Sequence, residues 1–236
     1  MQSVYKFHLA LAVLRQVDKG KLSLNQMIKI KKSDLHKNTY SPLADKYPDE
    51  NVKLPLRDIL FYTVSKSDNN ACDILFRLLG GTKKVEDYIH SLGIKNISIR
   101  ATEEEMHKGW NVQYTNWTTP FAAVQLLDRF YKGDILSKNS FDFLWKLMTE
   151  TTVSSKRIKG LLPEGTIVAH KSGTSDTNDM GVIAAVNDIG IVTLPNGNHY
   201  AIAVFVSDSI LGYKKMEKII ADISKATWDY FIRISR

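Results

Sequence analysis

The chain has 236 residues, of which 44% are apolar, and it carries a formal charge of +7 with a single cysteine, Cys72. This size and apolar content suit a globular protein and exclude a disordered chain, an intramolecular disulfide and a membrane span of roughly 20 apolar residues. The lysines are scattered and do not form a basic stripe with interleaved aromatic residues, so the charge predicts a solvated surface and no nucleic-acid partner.

Helical patterns dominate the chain up to about residue 150. Residues 3–18 are apolar on nearly every face and end just before Gly20, which predicts a helix buried on most sides. Polar residues at 65–69 separate two further helices, and 100–117 has no clean periodicity, which predicts a long ordered loop with a functional role. The helices are predicted at 3–18, 54–64, 70–79, 82–92, 118–131 and 140–149.

The pattern changes after residue 150. Short runs rich in Val and Ile at 166–170, 188–194 and 200–207 predict strands, and Pro195-Asn-Gly197 predicts the hairpin turn between the last two. An amphipathic helix is predicted at 213–234. Helices followed by antiparallel strands and a covering helix indicate an α+β fold. We therefore expect a helical subdomain over 1–150 and a sheet with a C-terminal helix over 151–236.

Three short motifs follow one another along the chain: Ser3-Val-Tyr-Lys6, Ser67-Asp68-Asn69 and Lys171-Ser172-Gly173. The first places a hydroxyl and an amine on one face of a helix, the second lies at a break between helices, and the third ends an apolar strand. Each motif alone is weak. Together and in this order they form the set found in class A β-lactamases and penicillin-binding proteins.

The chemistry of these residues is consistent with nucleophilic catalysis. Ser3 needs a neighbouring base, and desolvation on an apolar helix would favour the neutral, proton-accepting form of Lys6. The alternative for Lys6 is a surface lysine with an apolar stem. Ser3 lies near a helix start, where free N–H groups stabilise negative charge. Gly173 would let the strand backbone approach a substrate closely, so we expect the backbone N–H groups of Ser3 and Thr174 to form an oxyanion hole.

On these motifs the chain resembles the class A serine β-lactamases over essentially its whole length. The resemblance is strongest to an extended-spectrum, cephalosporinase-like branch, through Thr102-Glu-Glu-Glu-Met-His107 and His170-Lys-Ser-Gly-Thr-Ser175. It implies a β-lactamase/transpeptidase-like fold, in which an all-helical subdomain packs on an antiparallel sheet flanked by helices. It also implies hydrolysis of small-molecule β-lactams, penicillins and cephalosporins, with no metal and no organic cofactor.

The resemblance assigns catalytic roles to four residues. Ser3 would be the acylated nucleophile with Lys6 as its partner, and Ser67 would relay a proton to the departing ring nitrogen. Glu103 would activate the water that hydrolyses the acyl-enzyme, and the register of the 102–107 stretch favours it over the two glutamates that follow. Whether Lys6 or Glu103 is the base for acylation stays open.

The resemblance also assigns the substrate-binding residues. Asn69 would hold the side-chain amide of the substrate, His107 the hydrolytic water, and Tyr40 would form an aromatic wall. The substrate carboxylate would be bound by residues of the third motif and its surroundings, namely Lys171, Ser172, Gly173 and Thr174, with Arg157 in support.

The sequence departs from the usual pattern of this family at three places. His107 stands where an asparagine often helps to hold the hydrolytic water, and protonation of its imidazole would make turnover depend on pH. Ala101 and Asn116 stand where an arginine–aspartate pair often closes the loop, so we expect this clamp to be missing and the site to be roomier, favouring bulky cephalosporins. The chain begins two residues before Ser3, without a signal peptide, and the resemblance then implies a truncated N-terminus that lacks a helix and two strands. Family members act in the periplasm or outside the cell, and we expect a monomer.

Two alternative functions share the serine and lysine motifs. A D-alanyl-D-alanine peptidase or other penicillin-binding protein would form the acyl-enzyme but hydrolyse it slowly. A β-lactam sensor domain would use the acyl adduct as a signal. Both lack the loop glutamate, so Glu103 disfavours them.

Overall fold

The computed structural model describes residues 1–48 and 51–234. A 3-10 turn at Gln2–Val4 leads into the first helix, and a longer 3-10 helix covers Trp110–Thr115. The α-helices are α1 (Tyr5–Asp18), α2 (Pro42–Lys46), α3 (Leu56–Ser65), α4 (Asn69–Leu79), α5 (Thr82–Ser91), α6 (Glu103–Met106), α7 (Pro120–Tyr131), α8 (Lys138–Thr149) and α9 (Tyr213–Ile234).

The strands form one larger sheet and two short ladders. The larger sheet is antiparallel with the order β5-β6-β7, and Ser172 pairs with Asp188 in its first ladder. The short ladders join β1 to β2 and β3 to β4. The strands are β1 (Met27–Lys29), β2 (Lys53–Pro55), β3 (Ile97–Ser98), β4 (Trp117–Thr118), β5 (Val168–Thr174), β6 (Ile183–Thr193) and β7 (His199–Ser209).

Helix starts follow the capping rules. A side-chain oxygen accepts a hydrogen bond from the first turn of each of five helices, which satisfies a backbone N–H that the helix itself leaves free. The capping residues are Ser41, Asp68, Thr102, Thr119 and Ser137. Two of them, Asp68 and Thr102, begin helices that carry candidate site residues, so the caps also set where those residues lie.

The helix α1 lies at the centre of the apolar core. All ten residues from Tyr5 to Leu14 are buried, and the helix packs against α3, α4, α5 and α8. The predicted all-round apolar helix at 3–18 is thus confirmed, and its first two residues, Ser3 and Val4, lie in the tighter 3-10 turn. Cys72, on α4, is fully buried beside Tyr5.

The sheet separates two apolar clusters. Alternate residues of β7 point to opposite faces: Ala201 and Ala203 pack against the helical cluster that contains α1, while Ile202 and Val204 join a second cluster with Trp228 of α9. The protein is therefore an α+β fold in which a three-stranded sheet lies between helices. None of the helices in the described ranges is long and apolar enough to cross a membrane.

The structure lengthens the predicted strands. The apolar run predicted for the first strand stops at residue 170 with the third motif at its end, and β5 includes this whole motif and continues to Thr174. Polar residues there are buried and pair with Asp188 and Asn187 of β6, so an apolar pattern could not mark the end of the strand. The 100–117 loop contains α6 and a 3-10 helix, and the β3–β4 ladder closes its base.

The substitution Leu11→Ala should lower the free energy of unfolding by about 2–5 kcal/mol, because it removes buried methyl groups and leaves a cavity in the core. Urea unfolding followed by circular dichroism measures the change. The control is Leu211→Ala, at a leucine that is 48% exposed, which should change stability by about 0.5 kcal/mol or less. Equal effects of the two substitutions would contradict the central position of α1.

Candidate active site

Ser3 lies in the 3-10 turn that opens α1. The residue before it, Gln2, has a left-handed φ of 52°, which is costly for a side chain with a Cβ and persists only where the surroundings hold it. The Gln2 amide donates to Gln113 Oε1 at 2.5 Å and braces the turn against the loop. The hydroxyl of Ser3 donates to Glu103 Oε1 at 3.4 Å.

Lys6 is fully buried one turn further along α1. Its Nζ lies 3.0 Å from Glu103 Oε1 and donates to Ser67 O at 2.8 Å and to Asn69 Oδ1 at 2.5 Å. Three oxygens thus match the three N–H groups of an ammonium. The surface alternative for Lys6 is wrong, and its immediate surroundings are polar where the sequence predicted an apolar setting.

Ser67 stands at the break between α3 and α4 with a left-handed φ of 57°. Its Oγ accepts a hydrogen bond from Lys171 Nζ at 2.9 Å, and Lys171 also donates to Ser172 O. Burial, and then repulsion by the charge of Lys6, lowers the pKa of Lys171 to about 7. A lysine of the strand and a serine of the helix break are therefore in direct contact across the site.

Asp68, the middle residue of the second motif, anchors the wall of the site. Its buried carboxylate accepts hydrogen bonds from Ser41 Oγ and from the backbone N–H groups of Leu43 and Ala71. Burial raises the pKa of this carboxyl, which the two backbone hydrogen bonds oppose. The backbone N–H of Asn69 donates to Tyr40 O at 3.0 Å, so the tyrosine at the mouth of the cleft is tied to the same helix start.

The loop glutamates occupy three different settings. The Glu103 side chain is 7% exposed and faces Lys6. Glu104 is exposed and lies 3.7 Å from His36, while Glu105 accepts from the Thr102 N–H and completes the helix cap. The geometry therefore brings only the first of the three to the nucleophile.

Asp73 on α4 holds the start of the loop helix, and sequence reasoning missed it. Its two carboxylate oxygens accept from the backbone N–H groups of Glu103 and Glu104, each at 2.8 Å. Burial raises the pKa of Asp73 to about 7, against the opposing effect of these hydrogen bonds. No local signal marks this residue, because its partners lie 30 residues further along the chain.

The loop has no arginine–aspartate clamp at Ala101 and Asn116, as expected, but Asn116 closes it in another way. The Asn116 carboxamide accepts from the backbone N–H groups of Arg100 and Ala101 and donates to Ala101 O, at 2.7, 3.0 and 2.8 Å. This side chain is fully buried and joins the two ends of the loop. A neutral amide thus closes the loop in place of an ion pair, since it can both accept and donate.

The free edge of β5 faces the nucleophile turn. The backbone N–H of Ser175 donates to Ala185 O across the ladder. Because successive residues of an antiparallel strand point their N–H groups alternately toward and away from the partner strand, the N–H of Thr174 points away from β6. A Cβ added to Gly173 would lie 2.6 Å from Met1 O and 3.2 Å from Ser3 N. The close approach expected at this glycine is therefore made by the nucleophile turn itself.

Arg157 lies behind this edge and is 3% exposed. Its guanidinium donates to Gly173 O at 3.0 Å and to Thr174 Oγ1 at 2.6 Å. It also reaches Asn187 O and Glu217. The arginine therefore holds the backbone of β5 and the Thr174 hydroxyl from one side, and the opposite surface of the strand is left open.

Three of the catalytic candidates, Ser3, Ser67 and Glu103, border a cleft of about 640 Å³, while Lys6 is fully buried. His107 is exposed in it and donates through Nδ1 to Glu103 O at 2.7 Å. A smaller cavity of about 240 Å³ adjoins the cleft at Glu103 and His107. The cleft also has lining residues that no sequence motif marked: Gln2, Asn38, Thr39, Gly109, Trp110, Gln113, Val153, Ser154 and Asp176.

A model of the β-lactamase enzyme family matches residues 1–231, and the chain belongs to this family. It is 51% identical over 234 residues to β-lactamase VEB-1 of Pseudomonas aeruginosa, which covers 98% of this chain and 78% of that protein. The crystal structure of TLA-1 extended-spectrum β-lactamase has a TM-score of 0.97 at 65% identity, covering 98% of this chain and 84% of that one. Such similarity over nearly the full chain identifies a class A serine β-lactamase, an enzyme that hydrolyses β-lactams.

The penicillin-binding alternative has a more distant counterpart. The structure of PBP-A, an acyl-enzyme complex with penicillin G, has a TM-score of 0.84 at 25% identity, covering 98% of this chain and 81% of that one.

The substitution Asn116→Ala should lower the free energy of unfolding by about 1–3 kcal/mol, because it leaves buried backbone groups at Ala101 unpaired. It should also speed amide exchange at Arg100 and Ala101. Urea unfolding and hydrogen exchange measure the two effects. Asn111→Ala, at an exposed asparagine of the same loop, is the control, and the clamp is refuted if both variants behave alike.

Proposed function

We propose that this enzyme opens penicillins and cephalosporins through an acyl-enzyme on Ser3, which a water activated by Glu103 then hydrolyses. The observation that carries the proposal is the position of the Glu103 carboxylate, which is buried and contacts both the hydroxyl of Ser3 and the ammonium of Lys6. A carboxylate beside a nucleophile and a cation can accept a proton in either half of the reaction.

In acylation, Ser3 Oγ attacks the lactam carbonyl and the C–N bond of the ring breaks. The proton of Ser3 goes to Glu103 directly, or it goes to Lys6 once the lysine has passed one of its own protons to the Glu103 carboxylate. Ser67 gives its proton to the ring nitrogen, and the proton taken from Ser3 passes from Glu103 through Lys6 to Ser67 in its place, so that Glu103 is ionised again before deacylation. Lys171 donates to Ser67 Oγ and orients this hydroxyl. The N–H groups of Ser3 and Thr174 stabilise the oxyanion.

In deacylation, a water attacks the acyl carbon, Glu103 takes its proton, and Ser3 leaves with a proton restored to its oxygen. Asp73 and the cap at Thr102 hold the backbone of Glu103 in place. His107 donates to the carbonyl of the same residue, which supports a role for its ring beside the hydrolytic water.

The substrate is held by groups on both sides of the cleft. Its carboxylate lies against Lys171, Ser172 and Thr174, while Arg157 holds the Thr174 hydroxyl from behind. Gly173 admits the close contact between strand and turn. On the other side, Asn69 donates one N–H to Thr39 and keeps a second for the substrate amide, beside Tyr40.

The enzyme prefers bulky cephalosporins. Support comes from the 240 Å³ cavity that extends the cleft beside Glu103 and His107. TLA-1 is an extended-spectrum β-lactamase, and so is PER-1 from Pseudomonas aeruginosa, which is 45% identical over 99% of this chain and 75% of that protein. The enzyme works as a monomer in the periplasm or outside the cell, as its resemblance to exported family members implies.

Intact-mass measurement with a chromogenic cephalosporin tests the mechanism. The native chain should show sustained turnover with a transient adduct, and Ser3→Ala should show neither. Glu103→Gln should accumulate one adduct per chain, because Lys6 still provides a slower route for acylation whereas deacylation has no other base. Turnover should fall by at least about 100-fold, as expected for loss of a general base.

Glu104→Gln is the control, because the neighbouring glutamate faces solvent, and it should keep native turnover. A persistent stoichiometric adduct in the native chain would favour the penicillin-binding or sensor alternative. Deacylation by Glu103→Gln at the native rate would exclude Glu103 as the base.

The value of kcat/KM should fall as the pH rises through about 7, the pKa to which burial lowers Lys171. Below this pH the free enzyme holds an ammonium that attracts the substrate carboxylate, and above it the charge is lost. Lys171→Arg should remove this decline, since the guanidinium stays charged, whereas the exposed control Lys108→Arg should retain it. A decline that persists unchanged in Lys171→Arg would assign it to another group.

A further inference from the structure

The segment that carries Arg157 has no regular secondary structure, although its arginine must be held accurately. Residues 151–167 form turns and bends between α8 and β5. The Arg157 side chain is fixed by Gly173 O, Asn187 O and Thr174 Oγ1. Its backbone needs a separate anchor, because these bonds restrain only the guanidinium.

The anchor is the neighbouring residue, Ile158, whose peptide groups are bound from two sides. Its N–H donates to Asp188 Oδ2 at 3.2 Å, and its carbonyl accepts from Ser224 Oγ at 2.7 Å. Asp188 belongs to β6 and Ser224 to α9, and both are fully buried. Sheet and helix therefore meet at one residue of the loop.

Asp188 is in turn held by His170, whose Nδ1 lies 3.0 Å from both carboxylate oxygens. The two side chains are 0% and 2% exposed. Burying a carboxylate is unfavourable unless it is paired and hydrogen-bonded, and this one is satisfied by the histidine and by the Ile158 N–H. Neither residue lines the cleft.

We propose that Asp188, oriented by His170 and assisted by Ser224, is a positioning residue for the substrate-carboxylate subsite. It acts through the backbone of Ile158 and keeps the guanidinium of Arg157 against Thr174. The inference rests on the proposed function, according to which Thr174 and Lys171 bind the carboxylate of the substrate. It predicts that these buried residues set the preference for an anionic substrate without touching it.

The test compares a cephalosporin with its methyl ester, which lacks the carboxylate charge. The measured quantity is the ratio of kcat/KM for the acid to kcat/KM for the ester. In Asp188→Ala this ratio should fall about tenfold, the size expected when a charged hydrogen-bonding group is displaced, mainly through a higher KM for the acid. Arg157→Ala should lower it similarly. General structural damage would reduce both substrates alike and leave the ratio unchanged.

Asp188→Asn is the conservative variant. Its amide oxygen can still accept from the Ile158 N–H while its NH₂ donates to His170, so the ratio should stay within about twofold of native. Ser224→Ala removes one hydroxyl and serves if Asp188→Ala does not fold. It should lower the ratio about threefold. Ser140→Ala, at a buried serine bonded to Asp18, is the control and should leave the ratio unchanged.

A native ratio in a folded Asp188→Ala, or in Ser224→Ala, overturns the inference while the proposed function stands. Failure of the native chain to turn over either substrate overturns the proposed function and this inference with it.

Discussion

The site depends on one buried charge. Lys6 is inaccessible to solvent on the central helix, and an ammonium in that position is tolerated only when oxygen atoms surround it. Its partners come from two other segments: Glu103 from the loop, and Ser67 and Asn69 from the break between α3 and α4. Because a single charge must be satisfied, nucleophile helix, helix break and loop converge on one point.

The loop in turn depends on two side chains that do no chemistry. The Asp73 carboxylate accepts hydrogen bonds from the backbone N–H groups of Glu103 and Glu104, and Asn116 joins the ends of the loop. An ionised aspartate at 116 could accept from Arg100 and Ala101 but could not donate to Ala101 O. A neutral amide therefore satisfies all three backbone groups and needs no compensating charge in a buried place.

The parts of the fold that follow local patterns could be predicted from the sequence. The helix at the nucleophile and the final helix have apolar residues at helical spacing, and the three motifs fall where helix, break and strand were expected. The end of β5 and the roles of Asp73 and Asn116 could not be predicted. They depend on pairing and hydrogen bonds between residues 12 to 31 positions apart, which neither composition nor periodicity records.

At Gly173 the two halves of the cleft meet backbone to backbone. The van der Waals radii of main-chain atoms set the spacing there, since a Cβ at this position would overlap Met1 O and Gln2. Changes of side chain therefore cannot adjust the distance between the strand and the nucleophile. Selection by new antibiotics can reshape this enzyme only through the cleft walls, where Tyr40 and Trp110 offer side chains to exchange, while the reacting centre keeps its dimensions.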